Sequence, residues 1–502
     1  MTSGSDHVVV LDGRSLRVGD VVAVADGSTV ALAPGSGEAM RRGRAVVERY
    51  VAESLPAYGL TTGLGVRADQ RLSEVELAEF SYRTLRGRAQ AVGPPLPERA
   101  VRATMAIRLN TLLDGAAGAS PGVAEFIAEV LNRRLVPRIP RAGSLGSSDL
   151  APMACMGLAL IGEGVMVADG VEVDARQALT GAGLEPLPLG AKDGAVLCNN
   201  TALSCGLASL ALDGARTAWG ALQVAGALTL AAFAGNPSPF EAVVLRLRSQ
   251  RGQVAAGDEI RALVGAGLDE PRRLQDPLSI RCLAAVNGAA LAAIEELDDA
   301  LTIELNSVPD NPAVLVDEGR CVTTANFHLP RLAQTLDAVA RSLAWCATDS
   351  VSRVQRLANA SLSGLPSLLA PEAPDRAGFG PMLKPLEALR AQVIHLSQPV
   401  PVLPSHNADG VEDAVTFAPL AATKLDELLE SVRLIAAFEL VAAAQAADIR
   451  ATPLSPALRR VHAVVRGVSP FLEDDRPIAA EVEALAALIS SGDVRGQAYR
   501  NV

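Results

Sequence analysis

Long stripes of apolar residues, spaced three or four positions apart, restrict the fold of this chain more than any other feature. One stripe, in register with the polar residue Ser350, is formed by Leu332, Leu336, Val339, Leu343, Cys346, Val354 and Leu357. This spacing places the side chains on one face of an α-helix, which must be buried against other helices. Similar patterns run through 203–234, 283–306, 380–398 and 415–448. The stripes predict a bundle of long helices.

The remaining composition agrees with closely packed helices. Aromatic residues make up only 3% of the 502 residues, and Ala, Leu and Val dominate the apolar half. The most apolar stretch, 218–235, contains Gln223 and many Ala and Gly residues, whereas a membrane span needs about 20 strongly apolar residues. We therefore expect a buried helix there and no membrane association. Near the N-terminus, Val8–Leu11 and Val21–Val24 predict short strands, and helices dominate from Glu38 onward.

Charge and cysteine usage exclude several classes of partner. The net charge is −11 and the isoelectric point is near 5.2, without a Lys/Arg cluster, so a nucleic-acid partner is not expected. The six Cys show no Cys-x-x-Cys spacing and the five His are dispersed, which predicts no metal site. The first six residues lack the basic and apolar regions of a signal peptide. We expect a cytoplasmic protein with reduced cysteines.

A short Gly/Ser segment at 143–152 reads Gly-Ser-Leu-Gly-Ser-Ser-Asp-Leu-Ala-Pro. Taken alone, it indicates a turn before a helix. It resembles G-S-x-G-A-S-G-D-L-x-P, the signature of the histidine and aromatic amino-acid ammonia-lyases and aminomutases. In that family the Ala-Ser-Gly triad cyclises into the electrophilic group methylidene-imidazolone (MIO). Here the nine residues from Gly to Leu are eight, and Ser147-Ser148 stands where Ala-Ser-Gly is expected.

Six further segments resemble motifs of the same family and follow in the same order. They are Tyr58–Gly65, Lys192–Thr201, Gln275–Cys282, Glu304–Pro312, Asn326–His328 and Glu412–Asp413. Each match alone is weak, but seven matches in order identify the chain as a member of this family.

The shortened signature argues against an MIO group. Ring closure needs a backbone nitrogen to attack the carbonyl two residues earlier, and Gly permits that close approach. If Ser147-Ser148-Asp149 were the triad, the attacking nitrogen would belong to Asp149, whose Cβ and charged branch crowd the bend. If the Gly is deleted, no triad of the right length exists. We therefore expect no cofactor.

The resemblance implies roles for three retained residues. Tyr58 corresponds to the base that removes a proton beside the reacting centre, and Glu412 to the acid that handles the amine. Arg281 corresponds to the residue that binds the substrate carboxylate, for which a planar bidentate donor is suited. A packed loop residue is the alternative role for Tyr58, and a structural salt bridge is the alternative for Arg281.

Other matched positions are implied to surround the substrate. Asn199 and Asn306 correspond to amides near the prosthetic group and the carboxylate, with backbone hydrogen bonding as their alternative role. Phe327 corresponds to an aromatic wall. Leu278 replaces the second Tyr of the family, and Arg88 stands in the pair of positions that reads the substrate side chain. A cation there suits an anionic or strongly polar group, although Arg88 could also pair with an acidic residue of the chain.

The resemblance also implies an architecture. We expect a mostly all-α protein with a long central helix bundle of the aromatic ammonia-lyase type and a small mixed N-terminal region. The expected division is 1–200, with the Tyr loop and the degenerate MIO loop, then the bundle at 201–450 and a helical segment at 451–502, in one continuous body. Family members are homotetramers with active sites built from three subunits.

Three functions remain open from the sequence. The first is an MIO-independent enzyme that performs elimination, isomerisation or cyclisation on a small carboxylate-bearing, amino-acid-derived substrate. The second is a catalytically silent relative that acts as a binding or assembly subunit. The third is an ammonia-lyase or aminomutase with an unusual MIO made from Ser147, Ser148 and Asp149. Retention of Tyr58, Arg281 and Glu412 favours the first over the second, and the missing Gly disfavours the third.

Overall fold

The structure, a computed structural model, describes residues 7–168, 170–265, 270–370 and 375–499. The first six residues, on which the expected absence of a signal peptide depends, lie outside these ranges. The described residues form the helices α1 (Val18–Ala25), α2 (Ser36–Ala52), α3 (Glu74–Arg88), α4 (Glu98–Leu112), α5 (Pro121–Asn132), α6 (Leu150–Leu160), α7 (Ala175–Gly181), α8 (Asp193–Cys198), α9 (Ala202–Phe233), α10 (Ala242–Arg246), α11 (Arg251–Val264), α12 (Leu278–Arg281), α13 (Leu283–Glu304), α14 (Pro330–Leu357), α15 (Ala360–Ser363), α16 (Leu383–Leu396), α17 (Ala418–Arg450), α18 (Pro456–Val468), α19 (Ala479–Ser490) and α20 (Asp493–Tyr499).

Short strands pair in small sheets. They are β1 (Val8–Leu11), β2 (Thr29–Leu32), β3 (Val92–Pro95), β4 (Val136–Pro137), β5 (Pro140–Ala142), β6 (Val165–Ala168), β7 (Val171–Asp174), β8 (Ala313–Leu315), β9 (Arg320–Val322), β10 (Pro404–Asn407) and β11 (Glu412–Ala414). The pair β1–β2 is parallel, with Val8 opposite Thr29, and the pairs β3–β5, β4–β6, β6–β7, β8–β9 and β10–β11 are antiparallel. The predicted mostly helical class is confirmed, although strands also occur beyond the N-terminal region.

The chain divides into two compact units that do not follow chain order. The first unit consists of Met1–Asp213, Asp298–Gln334 and Val400–Thr423 and contains all the strands named above. The second unit consists of Gly214–Leu297, Thr335–Pro399 and Lys424–Val502 and is helical in its described residues. The division into 1–200, 201–450 and 451–502 stays a prediction.

The long apolar stripes predicted the long helices well. The patterns at 203–234, 283–306, 380–398 and 415–448 correspond to α9, α13, α16 and α17, and the stripe with Ser350 corresponds to α14. The prediction of a strand at Val21–Val24 is wrong, because these residues lie in α1. Buried Val18, Val21 and Val24 follow a three-residue spacing there, but the pattern is too short to distinguish a helix from a strand.

Ser350 interrupts the apolar stripe of α14 because it hydrogen-bonds a buried carboxylate. Within the second unit, Glu439 of α17 is fully buried and accepts hydrogen bonds from the hydroxyls of Thr229 (2.7 Å) and Ser350 (2.5 Å). Arg353 adds a bidentate pair, with Nε and Nη2 at 2.6 and 2.8 Å from the two oxygens. Breaking such a buried pair by removing one partner costs about 3–5 kcal/mol. The pair therefore fixes how α9, α14 and α17 pack in this unit.

The apolar stretch around Gln223 is part of a core helix. Gln223 is fully buried; its Nε2 donates to the carbonyl of Ala256 at 3.1 Å, and its Oε1 accepts from Asn287 Nδ2 at 2.8 Å. The helical stretch Asp193–Phe233 is long and apolar enough to cross a membrane by length and composition alone. However, 83% of its most apolar window is buried inside the protein, as expected for a core helix.

A second buried ion pair organises the first unit. Arg108 of α4 is fully buried and binds Asp310 in a bidentate manner, at 3.0 and 2.8 Å. The same guanidinium donates to the carbonyl of Val196 in α8. The next residue, Asn311, accepts a hydrogen bond from Asn199 through its carbonyl oxygen at 2.8 Å. The ion pair therefore positions the end of α8, where the candidate site begins.

Candidate active site

The degenerate loop at 143–149 is held at its end by the side chain of Asp149. This carboxylate is fully buried and accepts hydrogen bonds from the hydroxyls of Ser144 (2.6 Å) and Ser204 (2.8 Å) and from the Ser204 amide (2.8 Å). Its backbone N–H donates to the carbonyl of Asn200 at 2.7 Å. Burial raises the pKa of Asp149, although its hydrogen bonds with Ser144 and Ser204 oppose that shift. Asp149 thus joins the start of α6 to the start of α9.

The two serines before Asp149 have different environments. Ser148 has a φ of 69°, is buried, and donates from its hydroxyl to the carbonyl of Asn200 at 3.2 Å. Ser147 is half-buried and donates from its hydroxyl to the carbonyl of Ala414 at 2.7 Å. Its backbone forms an isolated antiparallel bridge with His328. Ser147 is therefore the serine of this pair that faces the cavity described next.

A cavity of about 620 Å³ lies within the first unit. Its walls come from the Tyr58 loop, the end of α3, the end of α8, the segment before α14, and the β10–β11 region. Apolar residues contribute about half of the lining, and the polar and charged lining residues are Tyr58, Arg88, Ser147, Asn199, Asn311, Thr323, His328, Glu412 and Asp413. The volume is in the usual range for a small-molecule site.

Tyr58 lies in a compact loop closed by backbone hydrogen bonds. The carbonyl of Ala57 accepts from the amides of Leu60, Thr61 and Thr62 at 3.1–3.2 Å. The Tyr58 hydroxyl accepts a hydrogen bond from the amide of Gly65 at 3.1 Å. This amide fixes one lone pair of the phenolic oxygen and leaves its proton free for other partners. The loop therefore presents a hydroxyl of defined orientation to the cavity.

Arg88 is the last residue of α3 and is half-buried in the cavity wall. Among the described residues, none accepts a hydrogen bond from its guanidinium. Burial raises the pKa of the neighbouring Cys198 thiol to about 11, and the charge of Arg88 opposes this increase. Asn199, the next lining residue, uses its Nδ2 to bind the Asn311 carbonyl. This wall therefore carries a cation and an amide beside an unreactive thiol.

The opposite charge in the cavity comes from the β10–β11 region. Glu412 and Asp413 both line it, and Glu412 is half-buried. In the part of the chain that the structure describes, neither carboxylate lies within 4.0 Å of a Lys, Arg or His nitrogen. His328 adds an imidazole to the lining. Among the described residues, the cavity thus presents two carboxylates that form no ion pair with the surrounding fold.

The predicted site residues fall into four groups, of which three lie in the first unit. The cavity brings together Tyr58, Arg88, Asn199, Phe327 and Glu412 with Ser147, whereas buried Ser148 and Asp149 support the loop from behind. The amide of Asn306 binds both backbone groups of Leu16 at 2.8 and 2.9 Å and lies outside the cavity lining.

Arg281 and Leu278 lie in the second unit, at α12. Arg281 is half-buried; with the Gln275 amide oxygen turned toward it, that oxygen accepts from Nη1 and Nη2 at 2.5 and 3.2 Å. Its Nε is buried without a partner among the described residues. Leu278 is 62% exposed. Their roles toward a substrate stay predictions.

Sequence reasoning did not single out Cys198, His328 or Asp413. Each one directly follows or precedes a predicted residue in a recognised motif, so adjacency was the available signal. Whether their side chains line the cavity depends on the local backbone conformation, which a sequence motif does not specify. Among the described residues, no group of three or more His, Cys, Asp or Glu is arranged to hold a metal ion.

Comparisons with known proteins agree with these motifs. The family described as aromatic amino acid lyase matches residues 16–467. Histidine ammonia-lyase of Anaeromyxobacter sp. (strain K) is 36% identical over 504 residues, covering 97% of this chain and 99% of that protein. Among solved structures, ergothionase from Treponema denticola, an ergothioneine-degrading enzyme, superposes with a TM-score of 0.93 at 29% identity, covering 99% of this chain and all of that one. Tyrosine aminomutase from Streptomyces globisporus gives a TM-score of 0.92 at 32% identity, covering 99% of both chains.

Replacing Asp149 by Ala should destabilise the protein more than replacing it by Asn. Ala leaves the Ser204 amide and the hydroxyls of Ser144 and Ser204 without their acceptor, and each buried donor left unpaired costs about 1–3 kcal/mol. Asn keeps one oxygen for the Ser204 amide, and its NH₂ group can donate to the hydroxyls. Urea unfolding of the three proteins measures the difference; equal midpoints for the two variants would contradict the assignment.

A comparison of the wild-type protein with Asp149→Asn tests the raised pKa of Asp149. A raised folded-state pKa contributes stability that is fully present below the unfolded value, about 3.9, and is lost as pH rises through the folded value. Asn does not titrate. Wild type should therefore lose stability relative to Asp149→Asn as pH increases above about 4, measured by urea unfolding at a series of pH values. A constant difference, or one of opposite sign, would argue against the raised pKa.

Proposed function

The chain belongs to the aromatic amino acid lyase family, and from this premise we propose that it is an enzyme that works without an MIO group. The proposed reaction is an elimination, isomerisation or cyclisation on a small carboxylate-bearing, amino-acid-derived substrate. Tyr58 is the proposed acid or base, and Glu412 handles a basic group of the substrate.

The observation that carries this proposal is the position of Asp149. In a triad of Ser147, Ser148 and Asp149, the Asp149 nitrogen would have to attack the carbonyl of Ser147. That nitrogen already donates to Asn200 at 2.7 Å, and its side chain is anchored by three further hydrogen bonds. Ring closure would break these contacts in a fully buried environment. The residues present therefore do not fit an MIO group, and no step of the proposed reaction uses one.

Without an electrophile, the substrate must carry a group that departs without covalent activation. In an elimination, Tyr58 takes a proton from carbon, the electron pair of that C–H bond forms a double bond, and the leaving group departs with its own bonding pair. Each tenfold loss of rate corresponds to about 1.4 kcal/mol of barrier. Ordinary amino acids, whose leaving group is ammonia, should therefore react very slowly or not at all.

The named relatives support a proposal that leaves the reaction class open. Their names describe an ammonia-lyase, an aminomutase and an ergothioneine-degrading enzyme. One fold thus carries several reactions, and the reaction must be argued from the site. The two alternatives, a silent binding or assembly subunit and a lyase with an unusual MIO, are separated from the proposal by the following experiments.

Intact mass spectrometry should give the mass of the unmodified sequence. An MIO group at residues 147–149 would lower the mass by two waters and would react with borohydride. The matched assay incubates the protein with His, Phe and Tyr and follows urocanate, cinnamate and coumarate by absorbance, with no rapid formation expected. A loss of two waters, or fast release of any of these products, would overturn the proposal in favour of the unusual MIO.

Tyr58→Phe should mainly lower turnover, whereas Arg281→Ala should mainly weaken substrate binding. Loss of one general acid–base group typically costs about 10²–10⁴-fold in rate. Loss of a carboxylate-binding Arg raises KM because the substrate and the transition state both lose the contact. The measurement is steady-state kinetics on a substrate found by screening, together with ligand binding by calorimetry.

Tyr82→Phe is a matched control for Tyr58→Phe. The Tyr82 hydroxyl also accepts a hydrogen bond from a backbone amide, that of Leu189 at 3.0 Å, but Tyr82 does not line the cavity. Its variant should keep wild-type turnover. If Tyr58→Phe behaves like Tyr82→Phe, the acid–base role is refuted. If neither Tyr58→Phe nor Arg281→Ala changes the binding or turnover of any ligand, the silent subunit becomes the better explanation.

A homotetramer with shared active sites is part of the proposal. The family resemblance supports it, and exposed apolar residues of the second unit, including Leu247 at 83% and Leu274 at 94% exposure, are available for burial in such an assembly. Sedimentation velocity at micromolar concentration should give four times the chain mass of 51.9 kDa. A monomer under these conditions would contradict the shared-site arrangement.

A further inference from the structure

Arg88 lies in the wall of the cavity, and no carboxylate of the described residues lies within 4.0 Å of its guanidinium nitrogens. It is the single Lys or Arg among the described residues that line the cavity. Glu412 and Asp413 line the same space, yet neither lies within 4.0 Å of its guanidinium. A partly desolvated charge that the fold leaves unpaired is costly, and such groups concentrate at sites where a ligand supplies the missing partner.

The neighbouring arginine on the same helix shows the contrast. Arg86 forms a bidentate pair with Glu163, at 2.7 and 2.5 Å, and is exposed. Arg88 ends α3, where the helix dipole favours a positive charge, so the fold tolerates it without an acidic partner. The Arg88 guanidinium lies near the Cys198 thiol in the cavity wall. Burial raises the pKa of this thiol, and the positive charge of Arg88 opposes that rise.

The cavity has room for more than the groups common to all amino acids. At about 620 Å³ it can hold an extended side chain in addition to a carboxylate and an amine. The carboxylates of Glu412 and Asp413 suit the cationic part of such a molecule. The guanidinium suits a planar anion, which it can bind through two parallel hydrogen bonds.

We infer that Arg88 selects substrates with an acidic side chain, so that the substrate class is an amino-acid derivative bearing a second carboxylate. This inference rests on the proposed function only in placing the substrate in this cavity. The second carboxylate of the substrate binds the Arg88 guanidinium.

Binding of matched acid and amide ligands tests the inference without requiring turnover. The probes are L-glutamate against L-glutamine and 4-carboxyphenylalanine against 4-carbamoylphenylalanine, two pairs of different length whose members differ only in the terminal group. Calorimetry with the full-length protein should show that at least one acid binds about 10-fold more tightly than its amide, as expected for one charged hydrogen-bonded contact.

Two variants of α3 assign the preference to a residue. Arg88→Gln should abolish the preference for the acid, whereas Arg83→Gln, which removes an exposed cation from the same helix outside the cavity, should retain it. Thermal unfolding of both variants checks that the fold is intact. Arg88→Lys should keep part of the preference, because a point charge remains without the bidentate geometry.

Three results would overturn the inference. They are equal binding of acid and amide in both pairs, including no binding of either; an acid preference that survives in Arg88→Gln; and an Arg88→Gln variant that binds acids and amides more weakly by the same factor, since that would place the common carboxylate at Arg88. The proposed function fails separately, through a mass two waters lower at 147–149, and that result leaves the acid preference of Arg88 unaffected.

Discussion

The buried carboxylate of Asp149 is the contact on which the candidate site depends. It accepts from Ser144 at one end of the degenerate loop and from both donors of Ser204 in α9, while its own amide binds Asn200. Because a buried carboxylate is stable only when its oxygens are paired, the loop has little freedom to rearrange. Ser147 precedes these anchored residues and lines the cavity, as do residues of α8 and β11.

Charged side chains form ion pairs in the two buried clusters described above, whereas those that line the cavity do not pair with one another. Arg108 with Asp310, and Arg353 with Glu439, are buried pairs with short bidentate contacts. In the cavity, Arg88 and Glu412 lie in the same lining without an ion pair. Paired charges specify packing, whereas unpaired charges are available to a ligand. The contrast is the physical reason for assigning function to this cavity.

Sequence alone predicted the features that depend on local spacing. The stripes gave α9, α13, α14, α16 and α17, because long helices repeat their pattern many times. The strand predicted at Val21–Val24 was wrong, because one or two helical turns are too short to distinguish the periodicity of a helix from that of a strand. Contacts between distant residues were not predictable: Ser350 meets Glu439, and Asn306 meets Leu16, across intervals that no periodicity records. The family resemblance assigned Tyr58, Arg88 and Glu412 to a substrate site, and these roles stay predictions; in the structure all three line one cavity, together with His328 and Asp413, for which no role was predicted.

The hydrogen bond between Ser144 and Asp149 bridges the ends of the loop that is one residue shorter than the family signature. Both anchors lie outside the positions that differ in length, and so do Asn200 and Ser204. A change of length confined to positions 145–148 therefore alters the segment where the family carries its triad, while the side chains that anchor the loop lie on either side of it. A loop tethered at both ends can thus gain or lose one codon between its anchors without losing the buried contacts that hold it, so that such a mutation alters the site and not the scaffold.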